Sequence, residues 1–271
     1  MRSMSVMQVP VLAILIALTI LACSTVPITG RSQLSLVSSS EMQAMSYAEY
    51  GKFLQENKVS TDKQSTEMVK RVGVRIQKAV EQFMAEQKLT SRLNGYQWDF
   101  NLVENDQVNA WCMPGGKVVV YTGLLPVTQN ETGLAVVMGH EIAHAIAEHG
   151  NERMSQGLLA EMGGAALDAA LAQKPEETRA LWMTAFGVGV QVGALLPYSR
   201  LQENEADHLG IIFMAMAGYD PNQALAFWER MAANKEGQAP PEFLSTHPSD
   251  ATRISKIKEM LPEALKYYKK S

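Results

Sequence analysis

Apolar residues recur at helical spacing in the first half of the chain. After Thr61 they return every three or four positions, which predicts a helix that packs through one face. The apolar positions of this face are Val69, Val72, Ile76, Val80 and Phe83. Another helix is expected just before it, near residues 39–56. Residues 24–38 lack helical periodicity and are interpreted as a tether.

Apolar and polar residues alternate in "YQWDFNLV", which predicts a half-buried strand over residues 96–102. A second strand is expected near residues 108–112. The turn sequence PGG at 114–116 separates it from the apolar run 117–121, so these two runs should form a hairpin. A small sheet followed mainly by helices predicts an α+β fold that is predominantly helical.

The most apolar helical segment extends from Leu134 to Ala147, which predicts a helix buried on all sides. Thr128 and Glu131 have the spacing of a capping box. The helix is therefore expected to begin there and to continue to Gly150.

The remaining segments also have helical character. Ala- and Gly-rich stretches cover residues 157–172 and 183–196, and the second has the length of a core helix rather than of a membrane span. The pair Asp220–Pro221 is expected to open another helix. A loop is predicted at 235–246, and a final helix over roughly 250–268.

The N-terminus has one positive charge followed by an apolar stretch that is short for a membrane span, which predicts a secretory signal peptide over residues 1–22. An uncleaved anchor remains the alternative. The segment "LTILAC" resembles the lipobox of bacterial lipoproteins, in which the Cys, here Cys23, becomes acylated. Several acyl chains would hold the protein stably on a membrane. Because Ser24 follows instead of Asp, the outer membrane is the expected location.

Composition and length limit the class of function, the possible disulfides and the number of domains. The chain has 271 residues and a formal net charge of −4, and this mild acidity argues against a nucleic-acid groove. With Cys23 acylated, Cys112 has no partner for an internal disulfide and is interpreted as a buried small residue. We divide the chain into the signal peptide, a lipidated Cys with tether and N-terminal helix (23–60), and a single catalytic-sized domain (61–271).

The sequence "HEIAHAIAEHG" at 140–150 places ionisable residues in this apolar helix. His140 and His144 are four residues apart and should project side by side, which suits two ligands of one zinc ion. Glu141 would then lie beside the ion and accept a proton from the bound water. An ion also removes the cost of burying an unpaired carboxylate, so one Zn²⁺ per chain is predicted.

A catalytic zinc site requires a third protein ligand. The pattern HExxHxxGxxH is excluded because Gly150 stands where it requires His. His149 should lie about 180° from His140 on a continuous helix and is interpreted as a structural partner. In "SRLQENEADHLG", Glu203 is the candidate ligand and Asp207 the candidate acceptor for the outer N–H of a ligand histidine. The neighbouring Glu205 is interpreted as part of a solvated acidic face.

Four ordered motifs carry a family resemblance: "NAWCMPGGKVVVYTGLL", "HEIAHAIAEHGNERMSQ", "PYSRLQENEADHLG" and "STHPSDATRI". Together they resemble the CAAX prenyl protease and HtpX family of zinc endopeptidases, in the soluble periplasmic branch with BepA-like and LoiP-like members. The resemblance implies Glu203 as third ligand, Glu141 as the catalytic residue, and a zincin-like core with a short sheet beside the zinc helix. One departure is "NAWCM", where relatives often have NAFAM.

Further site residues follow from this resemblance and from position in the sequence. Asn109 and Ala110 look like the edge strand on which gluzincin proteases lay an extended substrate, although Asn109 could simply terminate the strand. His247 could block the zinc reversibly or, like Tyr198, donate to the oxyanion, or it could be structural. Arg253 is expected to anchor the last helix by a salt bridge.

These observations predict a zinc metalloendopeptidase of the bacterial cell envelope, lipid-anchored and facing the periplasm. Its substrates would be unfolded or misassembled envelope proteins, a role that the resemblance alone implies. The alternative is a latent or weakly proteolytic assembly factor for outer-membrane proteins, in which the loop at 235–246 and His247 cover the metal. Envelope assembly machinery would then be a partner.

Overall fold

The computed structural model describes residues 23–172, 176, 200–233, 243, 247 and 251–269. The predicted signal peptide, the segment 183–196 and most of the loop at 235–246 lie outside the described residues. Two compact units are distinguished: one comprises Met1–Ser38 and Asn151–Leu195, and the other Ser39–Gly150 and Leu196–Ser271.

The described residues form a mostly helical α+β fold, as the sequence predicted. The strands are β1 (Cys23–Thr25), β2 (Ser32–Leu34), β3 (Asp99–Val103), β4 (Ala110–Met113) and β5 (Lys117–Tyr121). The α-helices are α1 (Ser39–Glu56), α2 (Lys63–Glu86), α3 (Leu125–Thr128), α4 (Glu131–Ile146), α5 (His149–Leu171), α6 (Arg200–Met216), α7 (Gln223–Ala233) and α8 (Ala251–Tyr267). No helix within these ranges is both long enough and apolar enough to cross a bilayer.

The first unit contains a strand pair where a tether was predicted. β1 and β2 pair antiparallel, with Ser24 opposite Gln33. The turn between them has positive φ angles at Ile28 and Gly30. The spacing of apolar residues along the sequence does not predict such a turn. A bidentate ion pair joins Arg31 to Glu152 of α5, with N–O distances of 2.6 and 2.8 Å.

The second unit has α4 at its centre, in contact with α2, α6, α7 and β4. The predicted apolar face of α2 is confirmed, since all five of its residues are fully buried. In the sheet of strand order β3-β5-β4, β3 runs parallel and β4 antiparallel to β5. The predicted hairpin is therefore confirmed, and β4 lies at the edge of this sheet beside α4.

Both ends of α4 differ from the prediction. The N-cap is Asn130, whose Oδ1 accepts a hydrogen bond from the backbone N–H of Gly133, so the capping box at Thr128 is wrong. The hydroxyl of Thr128 instead donates to the carbonyl of Leu125. The helix ends at Ile146 and does not continue to Gly150, because the chain adopts a positive φ of 58° at Glu148.

Candidate active site

The paired histidines lie side by side on α4. His140 and His144 are separated by about one turn, so their rings project in one direction, and their Nε2 atoms are 3.1 Å apart. Glu141 occupies the neighbouring position, and all three side chains are buried. The apolar residues around them bury the helix, so these polar groups are held away from bulk water.

Helix α6 brings Glu203 to the two imidazoles. Its Oε1 lies 3.4 Å from Nε2 of His144, and its Oε2 lies 3.5 Å from Nε2 of His140. This approach depends on Gly139 in α4 and Gly210 in α6. A Cβ added to Gly210 would lie 2.8 Å from the backbone nitrogen of His140, so the helices could not remain this close if either glycine carried a side chain.

His247 lies in the same cluster. Its Nδ1 is 3.0 Å from Oε1 of Glu203 and 3.2 Å from Nε2 of His140. Its Nε2 is 3.5 Å from Oε1 of Glu141. The side chain is only 3% exposed, and it therefore faces the candidate ligands rather than solvent.

These donors fit a zinc ion. One ligand atom each from His140, His144, Glu203 and His247 lies within 4.8 Å of the other three. Tetrahedral Zn–N bonds near 2.05 Å place ligand atoms about 3.3 Å apart, which is close to the spacings found here. In addition, Oε1 of Glu141 is buried without an aligned hydrogen bond among the described residues. A cation would compensate such groups.

A buried acid–base pair supports the ligands from behind. Asp207 on α6 places Oδ1 2.9 Å from Nδ1 of His140. Arg253 on α8 donates to both oxygens of Asp207, at 2.8 and 2.7 Å. Its Nη1 also lies 3.1 Å from Oε2 of Glu203, and its guanidinium stacks on the Trp228 ring at 3.4 Å from the ring centroid. The expected salt bridge of Arg253 thus lies inside the site.

The charges of the cluster follow from burial and hydrogen bonding. Burial lowers the pKa of His144 well below its usual range, so this imidazole is neutral and able to bind a metal. Burial also lowers the pKa of His140, but hydrogen bonds to Asp207 and Glu203 outweigh this and the pKa is raised. Burial raises the pKa of Glu203, yet the surrounding imidazoles outweigh it, so the net pKa is lowered and the carboxylate is ionised.

The pKa values of Asp207, the partner of Arg253, and of Glu141, the candidate base, shift in opposite directions. Burial raises the pKa of Asp207, but the charge of Arg253 outweighs this effect, and the net pKa is lowered. Burial raises the pKa of Glu141 to about 7, although His247 opposes the shift. In the metal-free protein, Glu141 therefore exchanges a proton near neutral pH.

The other predicted site residues are placed as follows. Tyr198 lies outside the described residues. Ala110 is the first residue of the edge strand β4, and Asn109 precedes it, with its carbonyl accepting from the N–H of Tyr121. Cys112 is a partly accessible residue of β4 whose pKa is raised well above the usual range by desolvation and then by the charge of Glu141. Its thiol is thus protonated.

Two residues of this region have positions that the sequence did not predict. Glu205 is buried rather than solvated, and its Oε2 lies 3.1 Å from Nε2 of His149. Trp228 covers the guanidinium of Arg253. Because residues two apart on a helix lie on roughly opposite faces, a ligand role for Glu203 gave no reason to expect that Glu205 is buried as well.

Comparison with known proteins agrees with this geometry. The family model "Peptidase family M48" matches residues 70–261, which is more than half of the chain. "Mitochondrial metalloendopeptidase OMA1" of Schizosaccharomyces pombe is 38% identical over 180 residues, covering 64% of this chain and 50% of that protein. "Metalloendopeptidase OMA1, mitochondrial" of Bos taurus is 31% identical over 253 residues, covering 89% of this chain and 46% of that protein.

A bacterial relative is also similar. "Beta-barrel assembly-enhancing protease" of Escherichia coli is 30% identical over 174 residues, covering 62% of this chain and 36% of that protein. The chain thus spans about half the length of the mitochondrial relatives and less of the bacterial one. The matched segment contains every candidate ligand described above. This match confirms the family resemblance noted in the sequence, and the chain belongs to peptidase family M48.

Proposed function

We propose that this protein is a zinc metalloendopeptidase in which His140, His144 and Glu203 hold the ion. The observation that carries this proposal is the convergence of two imidazoles and one carboxylate from α4 and α6 around one buried point. Three protein ligands are the set expected of a catalytic zinc site. When bound there, zinc would polarise the scissile carbonyl and lower the pKa of a water molecule.

Glu141 is the proposed general base. Its Oε1 lacks an aligned hydrogen bond among the described residues, and its pKa of about 7 allows it to accept a proton near neutral pH. It would take the proton from the attacking water and return it to the leaving amine. Asp207 would accept the Nδ1 proton of His140 and so keep the Nε2 lone pair available.

The substrate would be an extended polypeptide that adds to the free side of β4. This strand lies at the edge of its sheet and contacts α4, which carries the histidines. The carbonyl of Asn109 already accepts from the N–H of Tyr121 on β5. Main-chain hydrogen bonds to the substrate would therefore come from Ala110, whose N–H would exchange the side-chain oxygen of Asn109 for a substrate carbonyl. Such binding reads the backbone more than the side chains. Unfolded proteins would therefore be preferred over folded ones.

The proposed location is the bacterial outer membrane, facing the periplasm, with acyl chains on Cys23. The support is the sequence of residues 1–23, together with the similarity to the protease of Escherichia coli whose name refers to β-barrel assembly. Envelope proteins that are unfolded or misassembled would be the substrates. Replacing Cys23 by Ser and following the incorporation of a labelled fatty acid tests the anchor, because the variant has no thiol to acylate and should remain unlabelled.

The catalytic assignment is tested with three variants. Glu141→Gln should bind zinc at near one equivalent but lose cleavage of casein, because an amide cannot accept the proton. His140→Ala should lose both zinc and cleavage. Glu104→Gln, a change at a partly exposed ion pair with Lys58, is the matched control and should retain both. Full hydrolysis by the Glu141→Gln variant would exclude the proposed base.

The position of His247 favours a second candidate function, a latent protease that acts mainly as an assembly factor. Its Nδ1 lies as close to Glu203 and His140 as a fourth ligand would. The N–H of Phe243 donates to the carbonyl of Val108, so this part of the chain also meets the residue before Asn109. An inactive wild type with an active His247→Ala variant would support latency. Two equally active proteins would contradict it.

A further inference from the structure

His149 meets a candidate zinc ligand because α4 ends early. On a continuous helix, residues five apart would point about 140° from each other. The left-handed conformation at Glu148 instead interrupts the helix, and His149 is the first residue of α5. As a result, Nδ1 of His149 lies 2.9 Å from Nδ1 of His144, on the side of the ring opposite the ligand cluster.

A carboxylate completes this contact from behind. Nε2 of His149 lies 3.1 Å from Oε2 of Glu205 on α6. His149 is fully buried, and both Glu205 and His144 are at most 3% exposed. The three side chains therefore form a continuous buried chain from Glu205 through His149 to His144, which ends at the Nε2 atom that faces Glu203.

When His144 binds a metal through Nε2, the contacts among His144, His149 and Glu205 allow only one arrangement of hydrogen-bond donors and acceptors. The proton of a neutral His144 must then be on Nδ1, and it needs an acceptor. Nδ1 of His149 can accept only if the proton of that ring is on Nε2. The carboxylate of Glu205 stabilises that tautomer by accepting the Nε2 proton. Each group thus fixes the tautomer of the next.

We infer that His149 and Glu205 are positioning residues for the metal, which set the tautomer and ring orientation of His144. This inference rests on the proposed function, since it takes His144 as a zinc ligand. The two candidate ligands also differ in their outer partners. Nδ1 of His140 contacts the carboxylate of Asp207 directly, whereas His144 is linked to the carboxylate of Glu205 through the imidazole of His149. Outer partners of this kind raise metal affinity by orienting the ligand.

The test measures zinc affinity by competition with a chromophoric chelator, using the full chain. His149→Phe retains the ring volume but has no acceptor, and zinc binding should weaken about 10- to 100-fold. His149→Asn places an amide oxygen near the former Nδ1, and it should recover most of that affinity. At the other end, Glu205→Met should weaken zinc binding, whereas Glu205→Gln, whose amide oxygen still accepts from Nε2, should resemble the wild type.

Phe83→Leu is the control for a purely structural effect. Phe83 is fully buried in the same unit and packs on Phe213 rather than on the ligands. This variant should lower the urea midpoint of the metal-free protein without changing zinc affinity. The inference is overturned if His149→Phe binds zinc as tightly as the wild type, or if Asn and Phe at position 149 weaken binding equally. A wild-type chain that takes up no zinc would instead refute the proposed function.

Discussion

Replacing Arg253 by Met should destabilise the metal-free protein strongly. Arg253 is buried and donates two hydrogen bonds to the carboxylate of Asp207, which is itself 2% exposed. Methionine preserves an unbranched apolar chain against Trp228 but leaves that carboxylate without its cation. Removing one partner of a buried pair typically costs about 3–5 kcal/mol.

Protonation sets an upper limit to this cost. An uncompensated Asp207 can take up a proton, which costs about 1.36 kcal/mol for each unit between its ordinary pKa near 3.9 and the solution pH. The limit is therefore about 4 kcal/mol at pH 7 and about 1.5 kcal/mol at pH 5. In the wild type, Arg253 holds the pKa of Asp207 below its ordinary value, so the carboxylate is charged at both pH 5 and pH 7. In the variant, burial without Arg253 raises this pKa, so the variant loses stability as the pH rises above the ordinary value and its difference from the wild type grows toward pH 7.

The assay is urea unfolding in the presence of a chelator, followed by tryptophan fluorescence at pH 7 and pH 5. Arg71→Met is the matched control, since the ion pair of Arg71 with Glu131 is largely exposed and should contribute little to stability at either pH. The Arg253 variant should lose about 3–4 kcal/mol at pH 7 and markedly less at pH 5. An equal loss at both pH values, or a loss no larger than that of the control, would refute this reasoning.

Two further predictions concern the helix contact and the candidate base. Gly210→Ala should push α6 away from His140 on α4, cost about 1–3 kcal/mol of unfolding free energy and weaken zinc binding in a chelator competition. By contrast, Gly51→Ala, where the added Cβ meets open space, should stabilise by up to about 1 kcal/mol, and similar behaviour of the two variants would contradict the proposed close contact. Because burial raises the pKa of Glu141 to about 7, the metal-free native state retains a proton that the unfolded state releases above its ordinary pKa. The wild type should therefore lose up to about 3 kcal/mol more than Glu141→Gln as the pH rises from about 4.5 to 7, and parallel stability curves measured by urea unfolding would disprove this.

Short-range patterns in the sequence predicted most of the secondary structure. The apolar face of α2 and the hairpin of β4 and β5 follow from periods of 3.6 and 2 residues, which depend only on local backbone geometry. The side-by-side placement of His140 and His144 has the same origin, because a helix alone determines how residues four apart are oriented. The two ends of α4 were predicted less well, because several residues near each end could act as a cap and packing decides which of them does.

Contacts between segments that are distant in the sequence could be identified only from the tertiary structure. The sequence determined which residues could bind a metal and which helix would be buried, because residue type and periodicity are local properties. Only the close crossing of α4 and α6 decided that Glu203 reaches the histidines, and only the left-handed turn at Glu148 decided that His149 meets His144. The burial of Arg253 likewise depends on α6, α7 and α8 meeting in space. Such meetings are set by packing across the whole core, which no short stretch of sequence encodes.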